Sequence, residues 1–168
     1  MELQKITTCL WYNGNAEAAA KFYCGIFPNS RIGRIAYHSK ESAAAGGPES
    51  GMKEGMVMTI EFFLNGHPFL GLNGGPFFKF SEAVSFVVNC KDQAEVDQYW
   101  NYLSEGGDPK AQICGWVKDK FGMSWQVVPT AFTDMMASND KEKVAKVTKA
   151  MLEMKKLDLA KLEKAFNR

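Results

Sequence analysis

The same order of predicted elements occurs twice along the chain, and this internal duplication limits the possible folds more than any other feature. Each half begins with an apolar strand, continues into an amphipathic helix and ends in a β-hairpin. The two helices align as "NAEAAAKFY" over "DQAEVDQYW", with Glu17 matching Glu95. One strand of the second copy, expected between Gly107 and Ala111, leaves no clear signal. The pattern predicts a duplicated βαβββ module.

The clearest hairpin lies in the first half, within "MVMTIEFFLNGHPFLGLNGG". Its two apolar strands meet at Asn65-Gly66, a dipeptide that tolerates the positive φ angles of a tight turn. Residues 40–55, just before it, are rich in Gly, Ala, Ser and Pro, so we expect a mobile loop there. His38 leads into this loop and His67 lies beside the turn, and we predict that both are surface residues.

A strand and a helix open the first half. The strand covers Ile6 to Tyr12, and Asn15 is the predicted N-cap of the helix, which Pro28 terminates. In the later hairpin, Glu61 shares a strand face with Thr59. That face either turns inward, which would make Glu61 a buried base or ligand, or stays solvated, which is the interpretation we favour.

The last strand, "MSWQVVP", places a polar residue among apolar ones. Alternation puts Ser124, Gln126 and Val128 on one face and Trp125 on the other, where we expect it in the core. A primary amide in such a strand needs a hydrogen-bond partner, because burying it unpaired is costly. Gln126 is therefore the residue whose surroundings bear most on function.

The C-terminal region changes period and charge. An amphipathic stripe predicts a helix, and Asp158 is a predicted cap for a short last helix. The stripe consists of Val144, Val147, Met151 and Met154, and the last helix turns Leu159, Leu162 and Phe166 inward. Residues 139–168 carry nine Lys/Arg and five Asp/Glu, a net charge of +4, against −3 for residues 1–138. The tail is predicted to cover the protein's own sheet; a dimer contact and a basic partner surface are the alternatives.

Composition excludes several classes of protein. The 168 residues are 46% hydrophobic, which is ample for a core, and carry a net charge of only +1, which argues against dedicated nucleic-acid binding. No apolar run approaches the roughly 20 residues of a membrane span, and "MELQKITTCLWY" lacks the apolar core of a signal peptide. We therefore expect a cytoplasmic protein that binds neither nucleic acid nor membranes, with its four cysteines as reduced thiols.

Three stretches carry a family likeness: "ITTCLWYNGNAEAAAKFYCGIFPNSRI", "GHPFLGLNGGPFFKFSEAVSFVVNC" and "CGWVKDKFGMSWQVVPTAF". Together they resemble the PhnB-like group of the glyoxalase/bleomycin-resistance/extradiol-dioxygenase (vicinal oxygen chelate) superfamily, over about residues 4–135. Members are often labelled as a 3-demethylubiquinone-9 3-methyltransferase domain. The resemblance implies an α+β fold in which paired βαβββ modules form a cupped, mixed β-sheet around a ligand cavity, usually in a homodimer, here with a C-terminal helical extension.

These boundaries define the expected domains. Residues 1–138 form the glyoxalase-like domain, with module one at about 4–75 and module two at about 82–130. Residues 139–168 form the amphipathic helical tail.

In the metal-using members of the superfamily, four side chains converge inside the cup on a divalent ion. Carried over to this chain, their positions fall at about Thr8 or Thr7, Leu70 or Gly71, Ser85, and Gln126. Gln126 then takes the place where metal-using relatives have a Glu ligand. An amide offers no negative charge, and the other residues supply neither imidazole nor carboxylate. We predict no catalytic metal and no other cofactor, and the sequence identifies no catalytic residue.

The resemblance also implies a small-molecule site. The predicted ligand-binding residues are Trp11, Asn73, Phe80, Ser85, Cys114, Trp116 and Gln126. For Trp11 and Trp116, core packing remains an equal alternative. Cys114 is either a reactive thiol or, as we favour, a structural one. The glycines of "GLNGG" end a strand instead of opening a helix, so they fail the context that a nucleotide-binding loop requires.

The leading functional hypothesis is a metal-independent, small-molecule-binding protein of the glyoxalase-like superfamily. The first alternative is an enzyme: a metal-dependent lyase, isomerase or dioxygenase, or the methyltransferase that the family label suggests. The second alternative is a dimeric interaction module that uses its basic tail helices.

Overall fold

The computed structural model describes residues 5–168, which divide into two compact units, one ending at Lys79 and the other spanning Phe80–Arg168. The first unit contains a four-stranded sheet and the second a three-stranded sheet. Both sheets combine parallel and antiparallel pairs, and three helices end the chain. The predicted α+β class, with mixed sheets and a helical C-terminal extension, is confirmed. Along residues 5–168, no helix has the length and apolar character needed to cross a bilayer.

Unit one follows the predicted order of strand, helix, strand and hairpin. Its elements are β1 (Thr8–Tyr12), α1 (Ala16–Ile26), β2 (Arg31–Tyr37), α2 (Lys40–Ala45), a 3₁₀ turn (Pro48–Ser50), β3 (Val57–Leu64) and β4 (His67–Asn73). The strand order is β1-β4-β3-β2, with β1 parallel to β4. Asn65 and Gly66 have φ angles of 47° and 82°, which confirms the predicted tight turn.

α1 covers one face of this sheet and begins at a cap supplied from a distance. Asn15 occupies the N-cap position, as predicted, and its carbonyl accepts from the Ala19 N–H, but its side chain makes no capping bond. Instead, Asn73 Oδ1 accepts a hydrogen bond from the Ala16 N–H at 3.0 Å, and Asn73 Nδ2 donates to the Val57 carbonyl at 2.8 Å. The end of β4 therefore fixes both the start of α1 and the start of β3.

The expectation of a mobile loop at residues 40–55 is wrong, and so is the surface placement of His38. The segment contains α2 and the 3₁₀ turn, with Ala43 and Ser50 buried. His38 is buried as well; its ring nitrogens lie 3.2 Å from the Ser42 hydroxyl and 3.2 Å from the Asn73 carbonyl. These bonds tie the segment to the end of β4. His67 is exposed, as predicted.

Unit two repeats this plan with one strand fewer. Its elements are β5 (Ser85–Cys90), α3 (Gln93–Ser104), a 3₁₀ turn (Pro109–Ala111), β6 (Trp116–Lys118), β7 (Ser124–Pro129), α4 (Thr130–Met136), α5 (Lys141–Leu152) and α6 (Leu159–Phe166). The strand order is β5-β7-β6, with β5 parallel to β7. Every residue of unit two is described, and the 3₁₀ turn stands where the duplicated module would have its missing strand.

The turn between β6 and β7 is fixed by one buried carboxylate. Asp119 Oδ1 accepts hydrogen bonds from the backbone N–H groups of Phe121 and Met123, at 2.8 and 3.0 Å. Its Oδ2 accepts from the Trp125 indole at 2.8 Å. Trp125 is buried on the α3 side of the sheet, which confirms its predicted place in the core.

The tail belongs to the same compact unit as the second sheet. Its helices share an apolar cluster with α4, made of Met135, Val147, Leu157 and Leu162. Asp158 caps α6 through the Lys161 N–H, as predicted. The backbone N–H groups of Cys114 and Gly115 donate to the carbonyls of residues 154 and 155. The polypeptide before β6 thus holds the tail directly.

Gln93, the first residue of α3, is a second attachment of the tail. Its Nε2 donates to the Leu157 carbonyl at 3.1 Å and to Asp97 Oδ1 at 3.0 Å, and its Oε1 accepts from the Leu159 N–H at 2.7 Å. One side chain thus satisfies two backbone groups at the start of α6.

We predict that Gln93→Ala lowers the free energy of unfolding by about 1–3 kcal/mol, because it leaves part-buried backbone groups without partners. Gln98→Ala is the matched control, since Gln98 is exposed on the same helix, and it should change this free energy by less than about 0.5 kcal/mol. Urea denaturation followed by circular dichroism measures both. Equal effects of the two substitutions would contradict the role assigned to Gln93.

Candidate functional site

In each sheet, a helix covers one face, and the strand register decides which side chains lie on the other. In unit two, the face opposite α3 carries Ser85, Val87, Trp116, Lys118, Ser124 and Gln126, which we call the Gln126 face. Gln126 pairs with Val87 on one side and with Trp116 on the other. Three of the predicted ligand contacts, Ser85, Trp116 and Gln126, therefore share one surface.

Gln126 is hydrogen-bonded to Ser85. Gln126 Nε2 donates to Ser85 Oγ at 2.9 Å. This bond uses one of the two amide hydrogens, and the Ser85 hydroxyl keeps its own hydrogen as a donor. Both residues are partly exposed, and Val87 beside them is 49% exposed. The pair is thus both ordered within the protein and reachable from outside unit two.

Two further polar residues of this face, Ser124 and Lys118, were not among the predicted ligand-binding residues. Ser124 pairs with Ser85 and with Lys118, so the three side chains form a row across the sheet. Lys118 forms an ion pair with Glu82, whose pKa is held below its usual value by the hydrogen bond from the ammonium group. The alternation that placed Ser124 beside Gln126 was visible in the sequence. The position of Lys118 required the hairpin register.

The corresponding surface of unit one is the face opposite α1, which we call the Glu61 face. It carries Cys9, Trp11, Thr59, Glu61 and Leu70, as the pairing of β1, β3 and β4 dictates. Burial raises the pKa of the Cys9 thiol, so this cysteine is a poor nucleophile at neutral pH.

Of the paired alternatives for the carried-over metal positions in unit one, the register selects Leu70. Leu70 shares the Glu61 face, whereas Gly71 lies against α1, where a Cβ atom would approach Ala16 Cβ to 3.2 Å. Thr8 pairs with Phe69 and also points to the α1 side. Alternation therefore excludes Thr8 and leaves Thr7, which precedes β1, on the Glu61 face.

Glu61 is an ion-paired surface carboxylate. Arg34 Nε and Nη2 donate to its two oxygens at 2.9 and 2.6 Å. The hydrogen bond from Arg34 lowers the pKa of Glu61, so the group is ionised at neutral pH and lacks the raised pKa of a general acid. The solvated interpretation of Glu61 fits this geometry.

Trp11 is held by the turn that follows β4. Its indole Nε1 donates to the Gly75 carbonyl at 2.8 Å, and its ring contacts Phe78 edge-to-face at 4.9 Å between centroids. A Cβ at Gly74 would lie 2.1 Å from the Trp11 ring, and one at Gly75 would lie 2.8 Å from Ser50. Gly74 and Gly75 of "GLNGG" thus let the chain pack on the Trp11 ring and on the Ser50 backbone, which leaves no opening for a nucleotide phosphate.

The other predicted contacts lie elsewhere. Asn73 is 2% exposed on the α1 side, with its amide engaged by backbone groups, and we remove it from the candidate set because its role is structural. Cys114 lies in the turn before β6 with φ of 51°, off the Gln126 face. Phe80 is half-buried ahead of β5. All four cysteines are free thiols, and burial raises the pKa of Cys90 to about 12.

A separate cleft of about 510 Å³ lies between the start of α3 and the tail. Its charged lining is largely paired within the protein: Lys156 contacts Asp97 at 2.6 Å and Lys161 contacts Asp158 at 2.9 Å. The cleft marks the attachment of the tail and does not contain any of the predicted ligand residues.

The superfamily resemblance implies a divalent metal, and the residues present do not fit one. On the Gln126 face, the carried-over ligands are a hydroxyl and a primary amide that bond to each other, and in unit one Leu70 is a hydrocarbon. A hard divalent cation needs charged oxygen or imidazole ligands. Within residues 5–168, no three His, Cys, Asp or Glu side chains cluster as a metal site requires. No chemical step is assigned to a metal here.

The chain matches a family model and a solved structure that carry the same name. The family model described as 3-demethylubiquinone-9 3-methyltransferase matches residues 4–128. The chain is 33% identical to a PhnB protein of Bacillus cereus that bears the same methyltransferase name, with a TM-score of 0.61, and the match covers 75% of this chain and 99% of that one. Protein PA1353 of Pseudomonas aeruginosa, at 21% identity and a TM-score of 0.56 over 76% and 98% of the chains, shares the fold. No curated protein matches the chain.

We predict that Gly74→Ala destabilises the protein by at least about 2 kcal/mol, because the added methyl group overlaps the Trp11 ring. Gly25→Ala is the control: nothing lies within 4 Å of the added methyl group on α1, so this change should stabilise the protein by about 0.5–1 kcal/mol. Chemical denaturation gives both values, and near-ultraviolet circular dichroism reports the Trp11 environment. A Gly74→Ala variant with unchanged stability would contradict the close packing of this glycine on the Trp11 ring.

Proposed function

Because the chain belongs to the 3-demethylubiquinone-9 3-methyltransferase family of the glyoxalase/bleomycin-resistance superfamily, we propose that it is a small-molecule-binding protein that works without a catalytic metal. The observation that carries this proposal is the 2.9 Å hydrogen bond between Gln126 and Ser85 on the face opposite α3. We place the ligand on that face, in contact with both side chains and with Trp116.

The chemistry of the Gln126 face suits recognition better than catalysis. Gln126 and Ser85 offer neutral donors and acceptors that give direction to a polar group of the ligand. Trp116 offers a flat apolar surface one strand away. Such a combination of an aromatic surface and a few polar groups is typical of small-molecule sites. Neither Gln126 nor Ser85 ionises near neutral pH, so neither is an acid or base for a reaction.

The methyl transfer in the family description has no matching site among the described residues. A methyl donor of the nucleoside type would need a glycine-rich loop open to the ligand at the end of a strand. Gly74 and Gly75 are instead packed on Trp11 and Ser50. The relative's name nevertheless suggests a probe, since a demethylated ubiquinol has a flat ring for Trp116 and a phenol group for Gln126.

We predict that Gln126→Ala weakens binding of a short-chain 3-demethylubiquinol, or of any stronger hit from a small-molecule panel, by about tenfold or more. The loss follows from removing one directional hydrogen bond to the ligand and from removing the Gln126 bond that orients the Ser85 hydroxyl. Isothermal titration calorimetry measures the affinity. Gln112→Ala, in the turn before β6, is the control and should leave the affinity unchanged.

Two results would contradict this proposal. One is a small molecule that binds with the same affinity to the wild-type protein, to Gln126→Ala and to Ser85→Ala, which would place the ligand elsewhere. The other is about one tightly held Ni²⁺, Mn²⁺, Fe²⁺ or Zn²⁺ per chain, measured by elemental mass spectrometry on tag-free protein. A retained metal would favour lyase or dioxygenase chemistry. S-adenosylmethionine binding with methyl transfer to the quinol would favour the methyltransferase.

We also infer that the chain forms a homodimer and acts in the cytoplasm. Support for the dimer comes from large apolar side chains left exposed in unit two, among them Val84, Ile113 and Leu152. A dimer contact that buried such side chains would remove their apolar surface from water. Leu152, at the end of α5, is 62% exposed. It is therefore the residue of the tail at which a dimer contact can be tested.

Light scattering coupled to size-exclusion chromatography is expected to give a mass of two chains. Leu152→Lys tests whether the tail forms the dimer contact. If the tail forms the dimer contact, this variant becomes monomeric, whereas Lys146→Ala, an exposed polar change on the same helix, does not. If both variants remain dimeric, the contact lies outside this part of the tail. A monomeric wild-type protein would contradict the inference.

A further inference from the structure

The row of side chains beside Gln126 has a chemistry of its own. Lys118 on β6, Ser124 on β7 and Ser85 on β5 are direct neighbours in the strand register. Paired side chains on one face of a sheet stand about 5 Å apart at their Cβ atoms. The row therefore brings one ammonium group and two hydroxyl groups together, next to the amide of Gln126. All of these groups donate hydrogen bonds.

Ser124 is the unusual member of this row. The residue is 2% exposed, and its hydroxyl oxygen has no hydrogen-bond partner within residues 5–168. A buried hydroxyl without a partner costs stability that a methyl group in its place would not. An orphaned donor beside Lys118 and Ser85 points to a ligand atom that accepts its hydrogen.

Lys118 already holds an oxyanion. Its ammonium group is ion-paired with the carboxylate of Glu82, which lies in the segment before β5. The Lys118 side chain is 24% exposed and that of Glu82 is 60% exposed. Because the Glu82 side chain remains largely in solvent, this ion pair contributes little to stability, and Glu82 can be displaced from Lys118 at low cost. The position of the Glu82 carboxylate shows that an oxyanion can contact the Lys118 ammonium group.

We propose that Lys118, Ser124 and Ser85 form an oxyanion subsite, in which a carboxylate, phosphate or phosphonate group of the ligand takes the place of the Glu82 carboxylate. This subsite rests on the proposed function, because it shares Ser85 with the Gln126 contact. It assigns a charge to the ligand: an acidic group at the row and a polar or planar part beside Gln126 and Trp116. Glu82 opposes binding, since it competes for Lys118 and repels an incoming anion.

The test uses three small probes with the same ring: phenylphosphonate, benzoate and the neutral benzamide. Titration calorimetry on the full chain measures each affinity. For the wild-type protein, phenylphosphonate is expected to bind more tightly than benzamide. Glu82→Gln should tighten phenylphosphonate binding about three- to tenfold, and Lys118→Met should weaken it about tenfold or more. Neither substitution should change benzamide binding by more than about twofold.

Matched variants control for charge and folding. Glu105→Gln and Lys110→Met remove exposed charges of the same unit and should leave all three affinities unchanged. Lys118→Arg keeps the positive charge and should retain phenylphosphonate binding even if Lys118→Met fails to fold. Ser124→Ala should weaken phenylphosphonate binding severalfold without lowering the melting temperature, because it removes a hydroxyl that has no partner in the protein.

The outcomes separate this inference from the proposed function. If phenylphosphonate affinity is unchanged in Glu82→Gln or in Lys118→Met, the oxyanion subsite is overturned. If benzamide binds and depends on Gln126 while the anions bind no more tightly, the subsite fails and the proposed function stands. If phenylphosphonate depends on Lys118 and Glu82 but not on Gln126, the subsite stands and the proposed function fails. If none of the probes binds, the subsite is overturned.

Discussion

The carboxylate of Asp119 is the contact on which the Gln126 face depends. It ends the β6–β7 turn by accepting two backbone N–H groups and anchors Trp125 on the α3 side of the sheet. Because successive residues of a strand face opposite ways, a shift of one residue would move Gln126 into the core and Trp125 out of it. The turn therefore fixes the register, and the register places Lys118, Ser124 and Ser85 in one row.

In unit one, a different residue, Asn73, connects the secondary-structure elements. The Asn73 side-chain amide bonds to the first turn of α1 and to the start of β3. The Asn73 backbone carbonyl lies within hydrogen-bond distance of the His38 ring. The two units share an order of elements but not their central polar contact. Unit two also replaces one strand by a 3₁₀ turn, and the N–H groups of Cys114 and Gly115 then bond to the tail. The tail thus satisfies backbone groups that the shortened module leaves unpaired.

The sequence predicted what depends on local pattern. The duplicated order, the Asn65-Gly66 turn and the opposite faces of Trp125 and Gln126 all follow from propensities and alternation within a few residues. It failed where a residue's partner is far along the chain. The surface placement of His38 and the mobile loop after it were wrong predictions because their anchor, Asn73, lies 35 residues from His38. Asn15 occupies the N-cap position as predicted, yet the side-chain bond to the first turn comes from the distant Asn73, which no local pattern indicates. Lys118 was missed for the same reason, since it becomes a neighbour of Ser124 only through pairing of two strands.

The amide at position 126 links the two chemical features of the Gln126 face. A carboxylate there, as the resemblance implies for metal-using relatives, would attract a cation and would repel any anion placed at the adjacent row. An amide of nearly the same shape keeps the hydrogen bond to Ser85 but carries no charge. The charged groups beside it are then Lys118 and its ion-pair partner Glu82. In the proposed function and subsite, the poor fit of this face to a metal and its acceptance of an anion therefore have one electrostatic cause, the uncharged side chain at position 126. The proposed subsite therefore predicts that the charge of the ligand, more than the shape of the fold, separates this chain from the metal-using members that the resemblance implies carry a carboxylate at this position.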